Sequence, residues 1–216
     1  MKYFSPHLEE NYPGNLECNV TYSLNNQNEF SIYFEGESDQ DTIVNMTNHN
    51  YWNFHGHKNY YQNITNHNVL IKAEKVCEIN KNYIPTGNII SVVKTKFDLN
   101  KFYNISQDFL NKGGIDHNYV LENYNLAKPN GIIFSNLTGM GVEYFTDQPG
   151  MQFYTGNMMN KSMEGKYNKI YKKHFGICFE PQLFPDAINH PNFISPILKK
   201  GEKYTSTIKM RLRNDF

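Results

Sequence analysis

The chain has little of what marks the commoner function classes. It carries 21 basic and 21 acidic residues and no net charge, so it lacks the basic excess with which nucleic-acid binders and polybasic membrane-surface proteins hold their partners. Only two arginines occur, Arg211 and Arg213, both near the C-terminal end. The three cysteines, Cys18, Cys77 and Cys178, are widely spaced and odd in number, which removes a disulfide framework and the C-x-x-C pairs of a structural zinc site. No apolar run approaches the roughly 20 residues of a membrane span. Residues 1–10 contain no apolar signal region, and no glycine-rich phosphate loop is present. These absences lead to the expectation of a soluble, cytoplasmic protein with no nucleic-acid and no membrane partner.

What is present is aromatic and alternating. There are 16 tyrosines and 15 phenylalanines against one tryptophan, a composition suited to half-buried strands. In Leu16-Glu-Cys18-Asn-Val20-Thr-Tyr22-Ser-Leu24 apolar residues alternate with polar ones, and after a short polar stretch the pattern resumes at Phe30-Ser-Ile32-Tyr-Phe34. Two such runs read as a β-hairpin. Near the C-terminus Tyr204, Ile208, Met210 and Leu212 would share one face of a strand, with Thr205, Thr207, Lys209 and Arg211 on the other. Further strands are expected at 69–73, 89–93, 119–121, 131–137, 142–146, 152–154 and 177–180, separated by turn signals such as Pro85-Thr-Gly87, Pro129-Asn-Gly131 and Pro149-Gly150. Only residues 104–111 look helical. Many short strands with frequent turns predict an all-β antiparallel sandwich or barrel. With no linker, repeat or low-complexity block, residues 1–216 read as one domain, long enough to bury a core.

Two segments carry chemistry. Glu180 ends the apolar run Gly176-Ile-Cys-Phe-Glu180 and precedes a proline-rich loop, while His49 lies within Asn45-Met-Thr-Asn-His49-Asn-Tyr-Trp-Asn-Phe54. A carboxylate and an imidazole on opposite sides of a pocket form an acid/base pair, sufficient for a reaction made only of proton transfers. His55-Gly56-His57 has strand spacing for two metal ligands. No cysteine or carboxylate completes that set, and Gly56 marks a turn, so no metal is expected. His117, directly after Asp116, would point to the opposite strand face, which makes it a neighbour of the site and the strongest competitor for a further acid role. On their residue types alone, Asp116 equally suits a turn cap and Gln152 an outward polar position.

Several of these stretches together resemble the aldose 1-epimerase (galactose mutarotase) family. Thr47-Asn-His49-Asn-Tyr51-Trp-Asn53 is similar to its T-N-H-x-Y-[FW]-N motif. Tyr83-Ile-Pro85-Thr-Gly87, Ile115-Asp116-His-Asn-Tyr119, Asp147-Gln-Pro-Gly-Met-Gln152-Phe-Tyr-Thr-Gly-Asn157 and the 180–193 segment follow in the family's order, with Gly201-Glu-Lys-Tyr204 as the closing turn. The resemblance implies an antiparallel β-supersandwich of the galactose mutarotase type. It implies an isomerase that interconverts the α and β anomers of free hexoses such as galactose and glucose. Glu180 would be the general base, His49 the general acid, and Asp116 and Gln152 ligands to sugar hydroxyls. Proton transfers alone suffice for such a reaction, so no cofactor is expected.

The resemblance covers nearly the whole chain but begins inside the family domain, so an N-terminally incomplete supersandwich is expected, corresponding to the C-terminal two-thirds of that domain. The family's opening strands, an Asn-Arg pair and a further histidine that touch the sugar have no matching positions here. Exposed sheet edges leave a monomer or a weak homodimer as the expected state. Two alternatives stay open: a catalytically impaired sugar-binding or interaction β-sandwich, and a hexose-6-phosphate epimerase, which would want an Arg or Lys cluster at the pocket.

Overall fold

The alternating runs form strands, and two antiparallel sheets built from them enclose the core. The computed structural model describes residues 1–57, 62–159 and 163–216. Across the larger sheet the order is Lys2–Ser5, Leu16–Leu24, Glu29–Ser38, Lys203–Arg213, Gly141–Thr146, Gly131–Ser135, His67–Ile71 and Tyr103–Asn104. The smaller sheet runs Cys178–Gln182, Gly150–Tyr154, Asp116–Val120, Lys75–Ile79 and Pro85–Ser91. Ile32, Val69, Ile71, Ile133, Tyr144 and Ile208 of the larger sheet meet Val76, Tyr119, Met151, Phe153 and Phe179 of the smaller one in a single buried cluster. Among the described residues, no helix is long and apolar enough to cross a membrane.

The expected hairpin forms with Val20 opposite Phe34. The C-terminal strand pairs with its second arm, placing Ile208 opposite Ile32. Its two faces separate as the alternation requires. Ile208 and Met210 are fully buried, while Lys209 and Arg211 lie over the ring of Phe145 at 4.3 and 5.1 Å and pair with Glu29.

With the strand Lys2–Ser5 not foreseen and the expected turn Pro85-Thr-Gly87 lying inside the strand Pro85–Ser91, several elements depart from the sequence expectation. The strand Lys75–Ile79 is absent from it because a register shift between Cys77 and Ile79 breaks the alternation. The helix covers only Gln107–Asn111, since Asn104 joins the strand Tyr103–Asn104. Ser106 then caps the helix, its Oγ accepting from Phe109 N at 3.1 Å.

What matters for function is the outer face of the smaller sheet. Its inner face carries Tyr119, Met151, Phe153 and Phe179. Strand periodicity therefore turns Asp116, Asn118, Gln152, Tyr154, Cys178 and Glu180 the other way.

Candidate active site

Register assembles the site. Gln152 is paired on one side with Glu180 and on the other with Asn118, so these three polar side chains form one row across three strands. The next row is Cys178, Tyr154 and Asp116. Diagonal neighbours on such a face are within reach of long side chains, and Gln152 Nε2 donates to Asp116 Oδ1 at 2.7 Å. The four residues singled out from the sequence, His49, Asp116, Gln152 and Glu180, all line one cavity of about 360 Å³ together with Asn118 and Tyr154. That volume lies in the usual range for a small-molecule site, roughly 300–1,000 Å³.

The imidazole arrives from a segment laid along the free edge of Cys178–Gln182. Trp52 N donates to Ile177 O at 2.8 Å, and Ile177 N donates back to Trp52 O at 2.9 Å. Thr47 Oγ1 donates to Pro181 O at 2.7 Å. Asn45 Oδ1 accepts from Leu183 N at 2.9 Å. Held at both ends, the segment sets His49 Nε2 3.3 Å from Glu180 Oε1. The motif residues around His49 are thus fastenings, while the histidine is the group they deliver. Tyr51 stacks on the His49 ring at 4.8 Å and 19°, and Tyr154 meets both rings edge-on. Gly176 permits this close approach, because a Cβ there would come within 3.0 Å of the Tyr51 Cβ.

Burial dominates the electrostatics. Glu180 is only 8% exposed, and desolvation, with a smaller contribution from the charge of Asp116, pushes its carboxyl up to about 7. Asp116 is also raised by burial, opposed by the hydrogen bond from Gln152 and by the charge of His49. Asn118 Oδ1 and Gln152 Oε1 are buried with no partner among the described residues. Both side chains line the cavity, so a ligand hydroxyl there would satisfy groups that the protein leaves unpaired. None of the described residues lining the cavity is Lys or Arg.

The other histidines lie elsewhere. His117 packs against Phe97 at 4.3 Å, and burial, followed by the charge of Lys96, lowers it to about 4. It faces away from the site, as its place next to Asp116 implies. His55 is buried against His67, ring centroids 4.2 Å apart, and Gly56 turns the chain with φ +88°. Tyr51, Asn118 and Tyr154 went unnoticed in the sequence, although Asn118 sits two residues from Asp116 and Tyr154 two from Gln152, the spacing that shares a strand face.

A family model described as aldose 1-epimerase matches residues 1–211. Human galactose mutarotase is 38% identical over 206 residues, which cover 94% of this chain and 59% of the human protein. The aldose 1-epimerase of Escherichia coli K12 is 30% identical over 211 residues, covering 92% and 59% of the two chains. The crystal structure of an aldose epimerase homologue from C. elegans superposes with a TM-score of 0.87 at 22% identity, over all of this chain and 65% of that one. Galactose 1-epimerase from Lactobacillus acidophilus gives a TM-score of 0.81 at 25% identity, over 100% and 62%. The two-sheet architecture is therefore the antiparallel β-supersandwich of the galactose mutarotase type, and the chain spans 59% of the length of the human and E. coli relatives. The chain belongs to the aldose 1-epimerase family.

Proposed function

We propose that residues 1–216 are one aldose 1-epimerase domain that interconverts the α and β anomers of free hexoses such as galactose and glucose. The observation that carries this reading is the 3.3 Å contact between Glu180 Oε1 and His49 Nε2 at a cavity lined by Asp116, Asn118 and Gln152. Glu180 takes the proton of the anomeric hydroxyl while His49 protonates the ring oxygen. The bond from C1 to the ring oxygen breaks, C1 becomes an aldehyde carbon, and rotation about C1–C2 presents its other face. Closure reverses both proton transfers. The pair holds one proton throughout, as carboxylate–imidazolium before ring opening and carboxyl–imidazole after it. A carboxylate whose carboxyl form is raised to about 7 is a stronger base than an ordinary one, which favours its taking the anomeric proton.

Asp116 and Gln152 bind sugar hydroxyls in this reading, with Asn118 beside them. A free sugar is favoured over a sugar phosphate because no described cavity-lining residue is Lys or Arg, and a phosphate would call for a cluster of them. Polarimetry on freshly dissolved α-D-galactose and α-D-glucose tests the proposal. Saturable acceleration that falls about 10²–10⁴-fold in Glu180→Gln is expected. If a folded chain protects galactose-contacting residues without accelerating mutarotation, a sugar-binding domain replaces the enzyme.

A further inference from the structure

The strand that presents Glu180 also presents Cys178, two residues earlier and on the same face. Cys178 is fully buried and has no part in the proton transfers above. An imidazole nitrogen of His49, the sulfur of Cys178 and a carboxylate oxygen of Glu180 all lie within 4.8 Å of one another, and the nitrogen–oxygen pair is at 3.3 Å. Tetrahedral zinc, with its usual bond lengths, separates such ligand atoms by roughly 3.3–3.6 Å. The pair already has that spacing. The Cys178 sulfur lies within 4.8 Å of both other donors, and His49, whose side chain is 49% exposed, is the most exposed of the three.

We propose that His49, Cys178 and Glu180 bind a thiophilic divalent cation, Zn²⁺ foremost, and that the bound metal inhibits the enzyme in competition with sugar. The donor set of one thiolate, one imidazole and one carboxylate suits zinc or cobalt and not magnesium or calcium. Charge favours a cation as well, because Glu180 and Asp116 place two carboxyl groups on this face beside Cys178, and no described residue lining the cavity is Lys or Arg. Binding releases the thiol proton. Three protein ligands leave a fourth coordination position toward the cavity. The inhibition rests on the functional reading above, since the ligands are its acid and its base. A metal on His49 and Glu180 occupies the lone pairs that mutarotation needs. His55 and His57, whose spacing suggested ligation, are not the donors that converge.

The test is titration of the chelator-treated full chain with Co²⁺, followed by absorption spectroscopy. One equivalent should produce a thiolate-to-cobalt charge-transfer band in the near ultraviolet, displaced by Zn²⁺ and absent in Cys178→Ala. In polarimetry, Zn²⁺ at ten times its Kd should raise the apparent KM about 11-fold in the wild type and leave Cys178→Ala unaffected, with metal-free rates alike. Absence of the band in the wild type overturns the site, whether or not the variant folds. Equal inhibition of both proteins places the inhibitory metal elsewhere and overturns the proposal too. The spectrum requires no turnover, so a chain that shows the band but no mutarotation sinks the functional reading and leaves the metal site standing.

Discussion

The Glu180 carboxylate and the His49 imidazole face each other at 3.3 Å, and burial pushes the first up to about 7. In metal-free protein, kcat/KM for galactose should therefore fall on the acid side with a midpoint near 7, where Glu180 titrates, and not near the ordinary carboxylate value. Below that midpoint the base is protonated and the rate drops about tenfold per pH unit. Initial rates from about pH 4 to about pH 9 check this, and an acid limb centred near the ordinary Glu value, about 4.3, would remove Glu180 as base.

Stability carries the same signature without turnover. The folded state holds the Glu180 proton up to about 7, against an ordinary value of 4.5. Between those values the folded chain binds more protons than the unfolded one, so this group's stabilising contribution is whole below about 4.5 and is lost as pH rises through about 7. Glu180→Gln cannot ionise. Urea unfolding should find the variant more stable than wild type at about pH 8, by on the order of 2–3 kcal/mol, with the difference vanishing toward about pH 4. A difference that does not change with pH argues against the buried carboxyl as its source.

Thr47 acts at one remove. Its hydroxyl fastens the histidine segment to Pro181, the residue after Glu180, at 2.7 Å. Thr47→Val keeps the shape and removes the hydrogen bond. It should lower kcat on the order of tenfold through misplacement of the acid while leaving KM nearly unchanged, and Thr47→Ser should restore the rate. Rescue by valine as well as by serine would assign the residue to packing alone.

Gln152 ties the two sides of the cavity's polar face together, through its 2.7 Å bond to Asp116 and its place opposite Glu180. Gln152→Leu should raise KM for galactose about 10-fold or more, because the half-buried Asp116 carboxylate and a ligand hydroxyl both lose a partner. Its acid-limb midpoint should also move upward, since Asp116 and Glu180 are then less well shielded from each other. An unchanged KM would place Gln152 outside the binding surface.

The sequence was most readable where alternation was clean. The 204–212 run could be assigned to faces residue by residue because its apolar face is buried, whereas in the first arm of the 16–34 hairpin the alternation held although Tyr22 and Leu24 are exposed. Lys75–Ile79 escaped because its bulge interrupts the period. His49, Asp116, Gln152 and Glu180 were drawn together by likeness to a family, since residues 49, 116, 152 and 180 have no spacing that announces a common pocket. Asn118, Tyr51 and Cys178 were not, because their nearness to the site follows from cross-strand register and from the path of the 45–52 segment. Neither is a local property of the chain.

The path of that segment has a further consequence. Cys178–Gln182 is the outermost strand of its sheet, and an uncovered outer strand is a template for unwanted pairing with other chains. The fastenings at Asn45, Thr47 and Trp52 occupy that template. The stretch that delivers His49 therefore also covers a strand edge open to pairing. Loosening it should be felt first as aggregation and as joint loss of amide-exchange protection at Trp52 and Ile177.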